Sequence, residues 1–230
     1  MSGINGVTIL ALDPSTDVTG AVIVRFGDDT GVPMILATLA FDATAIVKRS
    51  PFILRDRLAR IRETRHALSA WIGKQYIAID AVAYETDTER GHSSTEALKM
   101  AAGAYLSLSD FEGLPVYPVT RQAACVATGT GSVYREPAGK NTRERDAKKA
   151  RLKNAVVEWA NNQYPLFRLG YRNLPMPEQE CVADALAVAE SAKNTFNVSQ
   201  ICRPKPKTKP VTPPAGDKRG AKQGDVSDAQ

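Results

Sequence analysis

The sequence has few of the residues that build disulfide frameworks or zinc sites. Its 230 residues include three cysteines and two histidines, and Cys125, Cys181 and Cys202 form no C-x-x-C pair. We therefore expect neither a disulfide framework nor a zinc centre. This cysteine usage fits a reducing compartment, and we expect the protein in the cytoplasm.

Long apolar runs are also missing. No window of 18 apolar residues exists, so we expect no membrane span. The N-terminal segment has no basic region followed by an apolar stretch, so we expect no signal peptide. The hydrophobic fraction of 43% is still enough for a core. The length suggests one domain with an appendage.

Net positive charge is concentrated in two segments of the chain. The formal net charge is +5, but residues 203–230 contain seven Lys/Arg and three Asp. The second segment, Arg135 to Lys153, holds eight Lys/Arg against three acidic residues. We expect residues 1–200 to form the folded domain, with one basic arm suited to phosphates, and residues 201–230 to be a disordered, basic, Pro/Lys-rich tail.

The hydrophobic pattern predicts an α/β domain. Strands at 7–13, 18–26 and 33–41 lie close together, which favours an antiparallel meander. A helix over 51–74 leads to a strand at 77–84, which we expect to be parallel to the first. The remaining pattern predicts a helix at 94–108, a strand at 114–118, a helix from Thr120 to about 127, a glycine-rich loop at 128–135, and helices at 146–163 and 178–192.

Three carboxylates occupy positions where a buried charge is costly. Asp13 and Glu85 end apolar runs, and Asp184 interrupts a helical segment rich in Ala, Val and Leu. An unpaired buried charge costs several kcal/mol, and a divalent cation removes that cost. Taken singly, Asp13 before Pro14 also fits a turn and Glu85 a solvated strand end. Together, hard oxygen ligands of this kind suit Mg²⁺ or Mn²⁺ and predict a metal-dependent nuclease.

Four segments resemble, in order, the motifs of the RuvC-type Holliday junction resolvases. The resemblance covers roughly residues 7–195, and the chain resembles a divergent member. It implies a ribonuclease H-like mixed five-stranded sheet flanked by helices. The four segments are Asp13–Gly20, then Glu85 followed by Ser94–Gly103, then Tyr117–Gln122 leading into Thr128–Ser132, and finally Ala183–Ala189.

The resemblance also implies a catalytic site. Asp13, Glu85 and Asp184 would hold two Mg²⁺ ions, with Mn²⁺ as the alternative, to activate water and leave 5′-phosphate and 3′-hydroxyl ends. The family usually has a fourth ligand three residues before the last Asp, where this chain has Cys181. A neutral thiol is a poor Mg²⁺ ligand, so Glu180 is the preferred fourth catalytic and metal residue, with Cys181 left open.

The substrate implied by the resemblance is a four-way DNA junction, cut by paired symmetric nicks. The near two-fold symmetry of a junction fits a C₂ homodimer, with the 94–108 helix and the Trp159 helix as candidate dimer surfaces. No motif indicates an accessory protein or a membrane partner. The residues expected to contact DNA are Arg121, Tyr134, Arg135, Lys140, Arg143, Arg145, Lys148 and Lys149.

Three other interpretations stay open. A different nuclease on the same fold would act on branched or flap DNA or on RNA–DNA hybrids with the same acidic set. A non-catalytic junction-binding protein would explain why Cys181 stands in a ligand position. An actin-like ATPase would need a second Asp-Gly-Gly phosphate loop, which the sequence lacks.

Overall fold

The computed structural model describes residues 6–27, 33–48, 52–86, 93–108, 111, 113–137, 139–164 and 174–201. The strands are β1 (Val7–Asp13), β2 (Val18–Phe26), β3 (Met34–Asp42), β4 (Ala81–Thr86) and β5 (Val116–Thr120). The helices are α1 (Ile53–Ile72), α2 (Ser93–Leu106), α3 (Arg121–Ala127), α4 (Gly131–Arg135), α5 (Thr142–Gln163) and α6 (Met176–Ile201). The predicted tail lies outside the described residues, apart from Ile201.

The strands form one mixed five-stranded sheet in the order β3-β2-β1-β4-β5. β1, β2 and β3 are joined by short connections and pair antiparallel. β4 pairs parallel with β1, and β5 pairs parallel with β4, because each follows a helix that crosses the sheet. The predicted mixed sheet, with its antiparallel meander and a parallel fourth strand, is confirmed.

Helices cover both faces of the central strands. Ile9 and Ala11 belong to a core shared with α5 and α6, whereas Leu10 and Leu12 belong to a core shared with α1 and α2. Because alternate side chains point to opposite faces, a strand covered on both sides reads as a continuous apolar run. Within the described ranges, no helix has the length and apolar character needed to cross a membrane.

A close backbone contact at Gly20 sets the position of α6 against the sheet. A Cβ atom at Gly20 would lie 2.1 Å from the carbonyl oxygen of Cys181 and 2.4 Å from its carbonyl carbon. Only glycine allows strand β2 and helix α6 to approach so closely. The contact holds the segment of α6 that carries Asp184 directly over the end of β1.

Replacing Gly20 with alanine should therefore destabilise the fold. We expect a loss of about 1–3 kcal/mol or more in the free energy of unfolding, because the new methyl group overlaps backbone atoms that cannot rotate away. Urea denaturation measures this change. Gly103→Ala is the matched control: a Cβ there meets nothing within 4 Å, and the change should be neutral or stabilising. Equal effects of the two substitutions would contradict the proposed role of Gly20.

The stretch 128–135, predicted as a loop, instead contains the short helix α4. The hydroxyl groups of Thr128 and Thr130 both donate to the carbonyl oxygen of Cys125, at 3.1 and 3.3 Å. Gly129 supplies a positive φ of 74°. The segment therefore folds into a compact turn that leads directly into a helix, and the prediction of a loop was wrong for residues 131–135.

Some element boundaries also differ from the predicted ones. Helix α5 begins at Thr142 rather than near Asp146, because the side chain of Asn141 accepts a hydrogen bond of 2.9 Å from the Glu144 amide. The Glu144 carboxylate in turn accepts from the amide of Lys140, the residue before the N-cap, at 2.6 Å, which ties the preceding connection to the first turn of the helix. In addition, β4 begins at Ala81 rather than residue 77, and α6 runs from Met176 to Ile201 rather than from 178 to 192.

Candidate functional site

Four carboxylates singled out in the sequence lie in one cleft of about 660 Å³ at an edge of the sheet; they are those of Asp13, Glu85, Glu180 and Asp184. The parallel register pairs Leu12 with Tyr84, the residues that immediately precede Asp13 and Glu85. Since side chains alternate along a strand, both carboxylates are directed to the face that α6 covers. Helix α6 then supplies Asp184 and Glu180 one helical turn apart.

The cleft raises the pKa of two of these acids. Burial raises the pKa of Asp13 well above its usual range, and the negative charges of Glu85 and Asp184 raise it further. Burial likewise raises the pKa of Asp184, although Arg121 and Lys153 oppose the shift. Carboxylates in this state are destabilised when ionised, so the site favours the arrival of a positive charge.

Two basic side chains already lie among the acids. Arg121 extends from the first turn of α3, and its guanidinium nitrogens are 3.8 Å from Glu85 Oε1 and 3.8 Å from Asp184 Oδ2. Burial alone would lower the pKa of Arg121, but Glu85, Asp184 and Asp13 together raise it above its usual value. The Nζ of Lys153, on α5, donates to the carboxylate of Glu180. Sequence reasoning predicted Arg121 as a DNA contact and missed Lys153.

A periodic signal could have identified Lys153. It follows Lys149 by four residues on α5, and residues four apart share one helix face. Both side chains line the cleft. The basic helix therefore presents a pair of lysines to the acidic site, rather than only a solvated face.

Cys181 lines the same cleft as Glu180 but differs from it in burial and in bonding. Its side chain is buried in the core between the sheet and α6, and its thiol donates to the carbonyl oxygen of Glu178 at 3.2 Å. Burial raises the pKa of this thiol, and Asp13, Asp184 and Glu178 raise it further. A protonated thiol is a poor ligand for a hard cation. The carboxylate of Glu180 is the better donor of the two.

The chemical types of the side chains in the cleft suit a hard divalent cation. All four acids offer oxygen ligands, and Asp13 makes no hydrogen bond or ion pair with any residue that the structure describes. Across the described ranges, no three acidic, thiol or imidazole side chains form a preassembled cation cluster. Arg121 and Lys153 make ion pairs with three of the four carboxylates, those of Glu85, Asp184 and Glu180.

Buried polar contacts fix the turn between β1 and β2 that follows Asp13. The hydroxyl groups of Tyr105 and Thr19 donate to the carbonyl oxygen of Ser15 at 2.9 and 3.0 Å. Arg60, which is only 4% exposed, donates to Asp17 Oδ1 at 2.5 Å. Arg60 and Tyr105 were not singled out from the sequence, because their contacts with this turn join positions 43 and 90 residues apart.

The predicted DNA-contacting residues fall into three groups. Arg121, Tyr134 and Lys149 line the cleft. Lys148 is used internally, because its Nζ donates to the carbonyl oxygens of Tyr134 and Glu136 and ties α4 to α5. The remainder are exposed and are not part of the cleft lining. They lie on α4, in the connection after it and in the first turn of α5: Arg135, Lys140, Arg143 and Arg145.

No protein-family model matches the sequence, and no curated protein matches it. Among solved structures, the chain is similar to Thermus thermophilus RuvC in complex with Holliday junction substrate, with 18% identity, a TM-score of 0.53, and coverage of 83% of this chain and 96% of that chain. A second Thermus thermophilus RuvC structure is 19% identical, with a TM-score of 0.50 and coverage of 84% of this chain and 96% of that chain. A fowlpox virus resolvase in complex with substrate Holliday junction DNA is 11% identical, with a TM-score of 0.43 and coverage of 82% of this chain and 98% of that chain. The two RuvC similarities, together with the strand order, establish the predicted ribonuclease H-like fold.

Proposed function

We propose that this protein is a metal-dependent, structure-specific DNA endonuclease that resolves four-way junctions by paired symmetric nicks. The observation that carries the proposal is the mixed charge of one cleft. Acids from β1, β4 and α6 meet there, and the basic side chains of Arg121, Lys149 and Lys153 line the same cleft. Acidic groups suit divalent cations, and basic groups suit the phosphates of the substrate. The family resemblance and the fold support the choice of DNA.

In this proposal Asp13, Glu85, Glu180 and Asp184 hold the cations, with Mg²⁺ preferred and Mn²⁺ as the alternative. When bound, two such ions supply the Lewis acidity that activates water and neutralises the leaving 3′ oxygen. The side chains do the remaining work. Lys149 and Arg121 orient the phosphate, and Tyr134 offers a ring on which an unpaired base can stack. The products carry 5′-phosphate and 3′-hydroxyl ends.

A homodimer is part of the same proposal, because two symmetric cuts need two sites. Of the two predicted dimer surfaces, Trp159 is engaged within the chain. Its ring stacks edge-on against Tyr164 at 5.7 Å and packs on the main core. On α2, Met100 is 42% exposed, and a Cβ atom at Gly103 would meet nothing within 4 Å. These observations favour α2 as the contact between protomers.

A non-catalytic junction-binding protein is the second candidate. The internal ion pairs of Arg121 and Lys153 favour it, because they neutralise carboxylates that a cation would otherwise need to neutralise. It predicts tight junction binding that does not depend on Mg²⁺.

A substrate panel separates the candidates. A synthetic four-way junction, a linear duplex, a flap and an RNA–DNA hybrid are incubated with the full chain in Mg²⁺ or in EDTA. The main proposal predicts Mg²⁺-dependent, symmetric nicks on the junction and little on the duplex. Preferential cutting of the flap or hybrid would favour a different nuclease of the same fold. Tight junction binding without cleavage would favour the non-catalytic candidate.

A further inference from the structure

Arg121 holds a position that a DNA-contacting residue does not require. Its side chain is 39% exposed, so part of it faces solvent. Its guanidinium lies between Glu85 and Asp184, whose side chains are 9% and 15% exposed and which belong to different elements of the fold. The guanidinium group of Arg121 is therefore shared by two acids that the proposed function assigns to a divalent metal ion.

The geometry of this contact is electrostatic rather than directional. Both nitrogen–oxygen distances are 3.8 Å, which is an ion-pair separation but longer than a hydrogen bond. A forked guanidinium–carboxylate pair at about 2.8 Å would be harder to displace. Arg121 thus neutralises the two acids without being locked to either of them.

The backbone allows the side chain to leave without unfolding. Arg121 is the first residue of α3, and the helix start is held by Thr120, whose hydroxyl oxygen accepts from the Ala123 amide at 3.1 Å. That cap does not involve the Arg121 side chain. Rotation about its side-chain bonds would move the guanidinium towards the open cleft while α3 remains in place.

We propose that Arg121 is an internal counter-ion which occupies the carboxylate pair Glu85 and Asp184 in the cation-free protein, competes with the divalent cation for it, and is released towards the DNA phosphate when the cation binds. This inference rests on the proposed function and adds a regulatory step to the same site. Because coupling between two ligands is reciprocal, the cation raises the affinity for DNA and DNA raises the affinity for the cation.

The test is a Mn²⁺ titration of the full chain by calorimetry, without DNA. Arg121→Gln should tighten Mn²⁺ binding about fivefold or more, because the competing charge is gone. Arg57→Gln is the matched control: Arg57 lines the same cleft, loses the same charge and makes no ion pair among the described residues. It should change the affinity by less than about twofold. Arg121→Lys, which retains the charge, should stay closer to wild type than Arg121→Gln.

Thermal melting in EDTA supplies a second readout that needs no metal. Arg121→Gln should lower the melting temperature more than Arg57→Gln, since only the first removes the cation that lies between the carboxylates of Glu85 and Asp184. Equal Mn²⁺ affinities and equal melting shifts for the two variants would overturn the inference. If Arg121→Gln unfolds, Arg121→Lys provides the test. A melting temperature and a Mn²⁺ affinity close to wild type in Arg121→Lys would support the counter-ion role, and a large loss of both would contradict it.

The outcome separates this inference from the proposed function. A wild-type protein that cuts junctions, with no difference between the two glutamine variants, overturns the inference and leaves the function standing. A wild-type protein that cuts no substrate, with a selective effect of Arg121→Gln on Mn²⁺ affinity, supports the inference and overturns the function. No Mn²⁺ binding by the wild type or by any variant overturns both.

Discussion

Asp13→Asn is expected to lower the rate of junction cleavage by about 10³-fold or more while leaving junction binding nearly unchanged. The substitution keeps the shape of the side chain but removes the charge that holds a cation, and such an ion contributes several kcal/mol to the transition state. Single-turnover cleavage and gel-shift binding in Ca²⁺ measure the two effects. Normal cleavage by Asp13→Asn would show that the site is wrongly assigned.

Asp42→Asn is the matched control for this prediction. Asp42 also ends a strand, β3, but it does not line the cleft. Its carboxylate accepts from the amide and hydroxyl of Thr44 at 2.8 and 2.6 Å, and these hydrogen bonds lower its pKa. An asparagine side-chain oxygen can accept in the same way, so we expect cleavage close to wild type.

Asp13→Asn should also change the stability of the protein, in a direction that follows from the raised pKa of Asp13. In the folded protein this pKa is raised, so the folded state binds the proton more tightly than the unfolded state. The contribution of Asp13 to the free energy of unfolding is fully present below the ordinary carboxyl pKa of about 4. It is lost as the pH rises through the higher pKa of the folded state. Asp13→Asn should therefore be more stable than wild type in EDTA at neutral pH, and this advantage should vanish towards pH 4. Melting curves across that range measure it.

The second large effect concerns basic residues of α5 and of the connection that precedes it. Replacing Lys140, Arg143 and Lys149 together with glutamine should weaken junction binding about 10- to 100-fold at physiological salt. Their side chains are exposed, and none of them makes a hydrogen bond or ion pair among the described residues. The slope of log affinity against log salt should fall by about 2 to 3, since each lost phosphate contact removes about 0.9.

A triple substitution on α1 controls for the change in net charge. Arg55, Arg62 and Lys74 are also exposed and lie in or just after α1, outside the cleft. Their replacement with glutamine removes the same charge and should leave the salt slope within about one of wild type. Equal losses of junction affinity in the two triple variants would mean that DNA binding depends on the overall charge of the protein and not on the basic residues of α5.

The parts of the fold that the sequence predicted are those set by local pattern. The apolar runs of β1 and β2 and the helical period of α1 predicted the antiparallel meander and the parallel β4, and each is confirmed. The positions of Asp13 and Glu85 followed from the same reasoning, because the equivalent ends of parallel neighbours meet at one sheet edge. Their convergence with Asp184 needed the family resemblance.

The parts that the sequence did not predict depend on contacts between distant residues. Nothing local at Gly20 reveals that the backbone of Cys181 lies against it. Lys153 reads as one more cation in a basic helix, and only the packing of α5 beside α6 brings it to Glu180. Helix α4 was missed because Gly129 and Gly131 favour a loop, whereas the hydrogen bonds of Thr128 and Thr130 form a compact turn.

The central claim is that the four carboxylates form a divalent-cation site, and anomalous diffraction from a Mn²⁺-soaked crystal of the full chain tests it most directly. We predict anomalous peaks in contact with carboxylate oxygens of Asp13, Glu85 and Asp184, with Glu180 rather than Cys181 as the further ligand. No peak in the cleft at saturating Mn²⁺, or a peak bound by Cys181 and not by Asp13, would contradict the account.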